Sequence, residues 1–216
     1  MAPQESNRDY HTVRHPASFE MLEKKSRFIA SVRPVTSHEE ADLHIRTVSL
    51  GHREASHNTY AYICREGNSL YQKHSDDGEP QGTGGLPVLE AIRAKDLCNV
   101  CVVVTRYFGG TLLGKGGLTR AYGKCASTGL EKAGRMKRTF CKVFSVQTEY
   151  APSKKILDYV ESHGYNRLDV EYTDNVRITV GVPDGESGSF VEKTRDLTHG
   201  QADIRREREQ YMETED

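Results

Sequence analysis

Apolar and polar positions follow two rhythms along this chain, and the switches between them mark out its elements. From Ser26, the positions Phe28, Ala30 and Val32 alternate with less apolar partners, which predicts a half-buried strand ending near Pro34. Ser37 to Glu40 then forms a capping box, followed by Ala41, Ile45 and Val48 on one helical face, with Gly51 placed to stop the helix. Thr59–Cys64 reads as a second strand. A helix over Leu86–Leu97 turns Val88, Leu89, Ile92 and Leu97 inward, with Pro87 near its start, where proline is tolerated. Val100–Val104 is a continuous apolar run of strand length, and Leu118, Ala121, Tyr122 and Cys125 recur at helical spacing after it. The first twenty-odd residues show neither rhythm and read as a loose arm.

The basic, weakly patterned run Lys132–Arg138 is the best boundary between domains. Beyond it come a strand over Phe140–Tyr150 and a helix from about Ser153 with Ile156, Leu157 and Val160 inward. A strand to Tyr172, a turn at Thr173–Asn175 and a strand over Val176–Val182 follow. A helix carrying Phe190, Thr194 and Leu197, then a strand through Ile204, complete a βαββαβ order, the ferredoxin-like pattern. The organisation expected is an arm over residues 1–24, a domain over 25–135 and a ferredoxin-like domain over 139–210, in the mixed α/β class. The tail Glu213–Asp216 is expected to fray.

Composition narrows the function classes. With 216 residues there is enough chain for a real core, and a net charge of −1 means any basic surface comes from distribution rather than excess. Mean hydropathy is −0.68 and no run of apolar residues approaches a membrane span. The polar N-terminus has no secretory h-region, and five cysteines, an odd number, suit a reducing compartment, so a soluble cytoplasmic protein without membrane association is expected. Cys98 and Cys101 form a CxxC, but no second pair accompanies it and Cys101 sits inside an apolar strand, so core packing is favoured over zinc. No metal and no cofactor is assigned.

Between Val104 and Leu118 lie Gly109, Gly110, Gly114, Gly116 and Gly117, bracketed by Arg106, Lys115 and Arg120. Glycine loses the most freedom on folding, so such a loop implies unusual backbone angles or a close approach, here plausible for an anion. Gly109–Gly116 satisfies GxxxxGK after a strand and before a helix. The hydroxyl needed for Mg²⁺ is replaced by Gly116, which argues against nucleotide hydrolysis and leaves phosphate binding open. A second feature is His74–Gly85, where Asp76, Asp77 and Glu79 crowd three carboxylates together. Three readings stay open: a divalent-metal site, acid/base catalysis with His57 as proton carrier, or carboxylates capping backbone N–H groups and pairing with Arg106 or Arg120.

Several motifs together resemble the YigZ/IMPACT family. They are Lys24–Ala30 (KKSRFIA), His57–Tyr62 (HNTYAY), Ser75–Pro80 (SDDGEP) with Gly82–Gly85, and Arg106–Gly110 (RYFGG) through Leu113–Gly114, Gly116–Leu118 and Arg120–Tyr122. They run in the family's order over roughly residues 20–135, and 140–210 resembles the small C-terminal domain of bacterial members. The resemblance implies a ribosomal-protein-like βαβ domain followed by a ferredoxin-like one. Those folds also sit side by side in elongation factor G, near the end that reaches the decoding region. Eukaryotic relatives carry an extra N-terminal domain of another type and restrain a translation-control kinase through its activator; this chain is expected to have no room for that domain, so the eukaryotic partner interaction is not carried over. The resemblance implies no established reaction. Thr59 stands where relatives often have cysteine, Gly84 where alanine is usual, and Lys115 where a small neutral residue is common.

The leading expectation is a non-catalytic RNA- or ribosome-associated protein acting in translation or its regulation. Lys24, Lys25, Arg27, Arg106, Lys115 and Arg120 would contact phosphates with the glycines 109, 110, 116 and 117, while Tyr107, Phe108 and Tyr122 would stack on bases. The rivals are a hydrolase-type enzyme using His57, Asp76, Asp77 and Glu79, with Arg106 as anion clamp, and a protein-binding adaptor in translation control. The sequence leaves the oligomeric state open. All of this needs the acidic turn and the glycine turn to converge on one solvent-reachable patch.

Overall fold

The computed structural model describes residues 9–67 and 69–214. Contacts divide them into two compact units, residues 10–137 and residues 138–214 with Asp9. Both are mixed α/β, and the described strands form two five-stranded sheets.

The first unit begins with β1 (Tyr10–Val13), β2 (Ala17–Glu23) and β3 (Ser26–Pro34). The loose-arm expectation is therefore corrected for residues 10–23, and its first eight residues lie outside those described. Strand β2 pairs with β3 along its whole length, from Ala17 opposite Val32 to Glu23 opposite Ser26. Its rhythm was faint because its inward side chains, among them Phe19 and Met21, are only partly buried. The two-residue turn between these strands holds Lys24 and Lys25 at φ +44° and +69°. Such a hairpin turn normally takes Asn-Gly or Asp-Gly, because both positions need left-handed backbone.

Helix α1 (His38–Gly51) starts as its capping box predicts, the Ser37 hydroxyl accepting from Glu40 N–H. Strand β4 (His57–Glu66) contains the predicted Thr59–Cys64, and β5 (Ser69–Ser75) was not anticipated. Strand β5 ends the sheet and is exposed almost throughout, so no apolar alternation betrays it. Helix α2 (Gly85–Ala94) stops before Leu97, which is nonetheless buried in the core.

Strand β6 (Val100–Tyr107) lies between β3 and β4 and is antiparallel to both. Strands β3 and β4 are thus parallel to each other, joined through α1, with β6 inserted between them. Alternate residues of β6 face opposite layers: Val100, Val102 and Val104 join the core under α2 and α3, and Cys101 and Val103 join the core with Ala41 of α1. Burial on both faces makes the strand a continuous apolar run. Arg106 shares the parity of Val104 and Tyr107 does not.

Helix α3 (Gly114–Ala133) buries Leu118, Ala121, Tyr122, Cys125, Ala126, Gly129, Leu130 and Ala133, a stripe of spacing three and four. Gly116 and Gly117 belong to its first turn rather than to a loop. A glycine-rich first turn carries no helical propensity, which hid it.

The second unit takes in most of β7 (Arg135–Thr148), then α4 (Tyr150–Ser162), β8 (Asn166–Tyr172), β9 (Val176–Pro183), α5 (Ser187–Leu197) and β10 (Asp203–Thr214). Its sheet order β10-β7-β9-β8 and βαββαβ sequence are those of the ferredoxin-like fold. Phe144, Val146, Ile156, Val160, Ile178 and Phe190 form the core beneath the helices. Strand β10 is longer than predicted, and Thr214 hydrogen-bonds Thr139 at 2.7 Å, so the expected frayed tail is corrected as far as Thr214. Glu215 and Asp216 lie outside the described residues.

Candidate functional site

The acidic turn between β5 and α2 is held by its own carboxylates. Asp76 accepts from Gly82 N–H through Oδ2 at 2.8 Å, and from Gly84 and Gly85 N–H through Oδ1 at 2.9 Å each. It caps α2 from eight and nine residues upstream. Burial pushes its pKa up, but the three backbone donors outweigh that and hold it below the usual carboxylate range. Asp77 accepts from Asn58 N–H at 2.6 Å, and its carbonyl accepts from His57 Nδ1 at 2.7 Å. A carbonyl oxygen can only accept, so His57 Nδ1 donates to it, and His57 Nε2 lies 3.8 Å from Glu79 Oε1.

Glu79 is the third carboxylate, and its side chain is 2% exposed. Its Oε1 accepts from Arg106 Nη1 at 2.7 Å and from the Tyr122 hydroxyl at 2.7 Å. Strand parity explains the meeting: Arg106 points to the α3 side of the sheet, where Tyr122 lies on the buried stripe. The Arg106 guanidinium lies 5.5 Å from the Phe28 ring and 5.4 Å from the Phe108 ring, and Tyr122 packs edge-on against Phe28 at 5.1 Å. Burial first, then its bond to Glu79, raises the Tyr122 phenol far above its ordinary pKa.

These positions correct several expectations. Arg106 is committed to Glu79 and only 5% exposed, and Tyr122 is fully buried, so neither is presented as a phosphate contact or a stacking platform. Asp76 and Asp77 use their oxygens on backbone N–H groups, and neither lines a cavity beside the glycine turn. Of the proposed acid/base set, only His57 and Glu79 do. Arg120 makes no ion pair with the acidic turn among the described residues. Arg27 lies over the Tyr107 ring at 4.7 Å and 3.8 Å from Glu20, with Tyr107 bonded to His52 at 2.8 Å. By parity that cluster sits on the opposite face of the sheet from Arg106.

The glycine turn is pinned to the hairpin turn of β2 and β3. The Ser26 hydroxyl accepts from Gly109 N–H at 3.3 Å, and a Cβ on Gly109 would stand 2.0 Å from the Lys25 carbonyl oxygen. Only glycine permits that approach. Phe108 N–H donates to Ser56 Oγ at 3.2 Å, and Gly110 follows at φ +79°.

The acidic and glycine turns do converge. A cavity of about 500 Å³ is lined by His57, Glu79 and Pro80 from the acidic side of the sequence and by Arg106, Phe108, Leu112, Lys115 and Leu118 from the stretch around the glycine turn. A smaller one of about 220 Å³ is lined by Glu23, Lys24, Gly117, Arg120 and Lys124, and both are lined by Leu113. Lys124 and the leucines were missed in the sequence. Lys124 lies one helical turn beyond Arg120 on the exposed side of α3, a spacing that could have revealed it. Lys24, Lys115, Arg120 and Lys124 have no ion-pair partner among the described residues. Phe108 is 48% and Leu112 83% exposed beside them.

Elsewhere in this unit, His38, Glu39 and Glu66 bring ligand atoms within 4.8 Å of one another. His38 is engaged there by Glu66 through Nδ1 at 2.7 Å and through its backbone N–H at 2.6 Å. Among the described residues no helix is long and apolar enough to cross a membrane.

Comparison with known proteins fits this arrangement. Residues 24–130 match the family described as Impact N-terminal domain, and residues 146–201 match a domain of unknown function, DUF1949. The chain is 37% identical over 204 residues to the IMPACT family member YvyE of Bacillus subtilis, covering 94% of each. It is 30% identical over 178 residues to the IMPACT family member YigZ of Escherichia coli, covering 82% of this chain and 87% of that one. A solved structure titled as that of a hypothetical protein matches with a TM-score of 0.60 at 28% identity, over 93% of this chain and 98% of the other.

Proposed function

The chain belongs to the IMPACT family, and from that premise we propose that it acts in translation or its regulation by binding RNA, free or within the ribosome. The binding face is the basic edge where the β2–β3 turn meets the first turns of α3. One observation carries the reading: Lys24, Lys115, Arg120 and Lys124 line two cavities that share Leu113, against two acids, Glu23 and the Glu79 already paired with Arg106, and none of the four is neutralised by an ion pair among the described residues.

The chemistry suits a single strand. Unpaired cations displace counterions from phosphates, and an exposed aromatic ring offers a base a π-face without regard to sequence. Phe108 supplies that ring. The hairpin turn supports the same reading. Lys24 and Lys25 occupy left-handed backbone, where a non-glycine residue costs about 1 kcal/mol or more. Two lysines at those positions place positive charge at the tip of a tight turn, where glycine or asparagine would fold more easily.

Co-sedimentation of the full chain with ribosomes, together with fluorescence anisotropy of a labelled single-stranded RNA, tests the proposal. Charge reversal by Lys24→Glu with Arg120→Glu should abolish both signals at low salt, and binding that survives unchanged would refute the reading. Both side chains are exposed, so the double variant should keep the fold.

A further inference from the structure

The buried ion pair on the wall of the larger cavity is incompletely satisfied. Both hydrogen bonds to Glu79 fall on Oε1, as does its approach to His57, and Oε2 has no partner among the described residues. Arg106 donates from Nη1 and Nη2, but its buried Nε has no acceptor. The two side chains are 2% and 7% exposed; of their polar atoms only Arg106 Nε is itself buried without a partner, and buried polar groups are nearly always bonded. Both residues line the cavity.

The same cavity also offers the chemistry an anion needs. Gly114 and Lys115 line it, and they open α3, a helix of 20 residues whose start no side chain caps. The first backbone N–H groups of such a helix carry partial positive charge. Gly116 leaves that turn open, and Arg120 Nη1 stands 3.5 Å from where a Cβ on Gly116 would be, so Lys115 and Arg120 flank it. The apolar Leu112 and Leu118 and the half-exposed Phe108 ring line the same cavity.

We propose that this cavity binds one nucleoside monophosphate unit, either a free nucleotide or a nucleotide at the end of an RNA strand. The base lies against Phe108 with a donor toward Glu79, and the phosphate sits at Lys115 and the first turn of α3. A volume of about 500 Å³ falls within the range of roughly 300–1,000 Å³ typical of small-ligand sites. An aliphatic acid would satisfy the anion end and leave the carboxylate oxygen unbonded. A flat heterocycle bearing an amino group beside a ring acceptor offers a donor to the Glu79 carboxylate, an acceptor to Arg106 Nε and an apolar face to Phe108 at once. Guanine, adenine and cytosine have an exocyclic amino group; uracil has only its N3–H, flanked by two carbonyls that the carboxylate repels. The inference deepens the RNA reading and rests on it for the case of a strand end.

The test is a titration of the full-length ¹⁵N-labelled chain with GMP, AMP, CMP, UMP and inorganic phosphate, following backbone amides by NMR. Amides of residues 108–118 should shift with the three amino-bearing nucleotides, and UMP should bind about tenfold more weakly. Phe108→Ala, at an exposed position, should weaken nucleotide binding about tenfold. Displacement of GMP by a short single-stranded RNA identifies a strand end as the ligand. Failure of that RNA to displace it identifies the free nucleotide, and either result supports the cavity. Shifts that are the same for phosphate as for every nucleotide, or affinities indifferent to Phe108→Ala, overturn the inference. GMP binding that fails while RNA binding still responds to Lys24→Glu with Arg120→Glu would overturn it and leave the basic edge intact.

Discussion

Replacing Glu79 by glutamine removes one charge and almost no volume from a side chain that is 2% exposed. Arg106, at 2.7 Å and 7% exposed, would then be a buried cation without a counter-charge. Breaking a buried pair by deleting one partner costs about 3–5 kcal/mol, against a total stability of about 5–15 kcal/mol for a typical protein. The glutamine carbonyl still accepts from the Tyr122 hydroxyl, so the loss reports mainly on the charge. Glu79→Leu combined with Arg106→Met should recover most of it, because neither charge is then buried alone. What stays lost is the orphaned Tyr122 hydroxyl, about 1–3 kcal/mol, which Tyr122→Phe should restore. Urea unfolding followed by circular dichroism gives the overall midpoint, and hydrogen exchange of β6 amides isolates residues 10–137. A loss below about 1 kcal/mol for Glu79→Gln, or no recovery in the double variant, would refute the buried network.

Gly109→Ala should lower Tm by about 5–10 °C, because its methyl would meet the Lys25 carbonyl at 2.0 Å and force the glycine turn off the hairpin; an unchanged Tm in calorimetry would contradict that approach. Asp76→Asn leaves one oxygen to serve three backbone donors and should cost about 1–3 kcal/mol at pH 7. Because the folded carboxyl titrates below its ordinary range, its contribution is fully present above the ordinary carboxylate pKa of about 4 and is lost as pH falls through the lowered folded value, so urea midpoints of variant and parent should draw together as pH falls below that range. Burial raises Tyr62 to about 12, and raises Tyr122 and Tyr165 further. Unfolded tyrosine ionises near 10, so these groups favour the fold below that pH and withdraw support as pH rises beyond it; an alkaline absorbance titration should show three of the 11 tyrosines ionising late.

Much of the fold was legible where burial is one-sided or complete. The Ser37 capping box, the Val100–Val104 run and the stripe from Leu118 to Cys125 each state their own environment in a few residues. Strand β5 left no trace because an exposed edge strand needs no apolar alternation, and β2 left little because its inward side chains are only partly covered. At the site, the sequence named the chemical groups but not their employment. Arg106 stands among glycines like a surface clamp, and only the parity of β6 shows that it points at α3. That Glu79, 27 residues away, meets it there is a long-range fact no local pattern carries. Tyr122 was visible as a member of a buried stripe, and that spacing already spoke against its stacking on a base.

The salt dependence of single-stranded RNA binding tests the central claim most directly. Four phosphate contacts by Lys24, Lys115, Arg120 and Lys124 predict a slope of log K against log[salt] of about −2.8, hence about fiftyfold weaker binding at 200 mM than at 50 mM salt. Arg120→Ala with Lys124→Ala should reduce that slope in magnitude by about 1.4. No RNA binding at 50 mM salt, or a slope that the double variant leaves unchanged, would contradict the account.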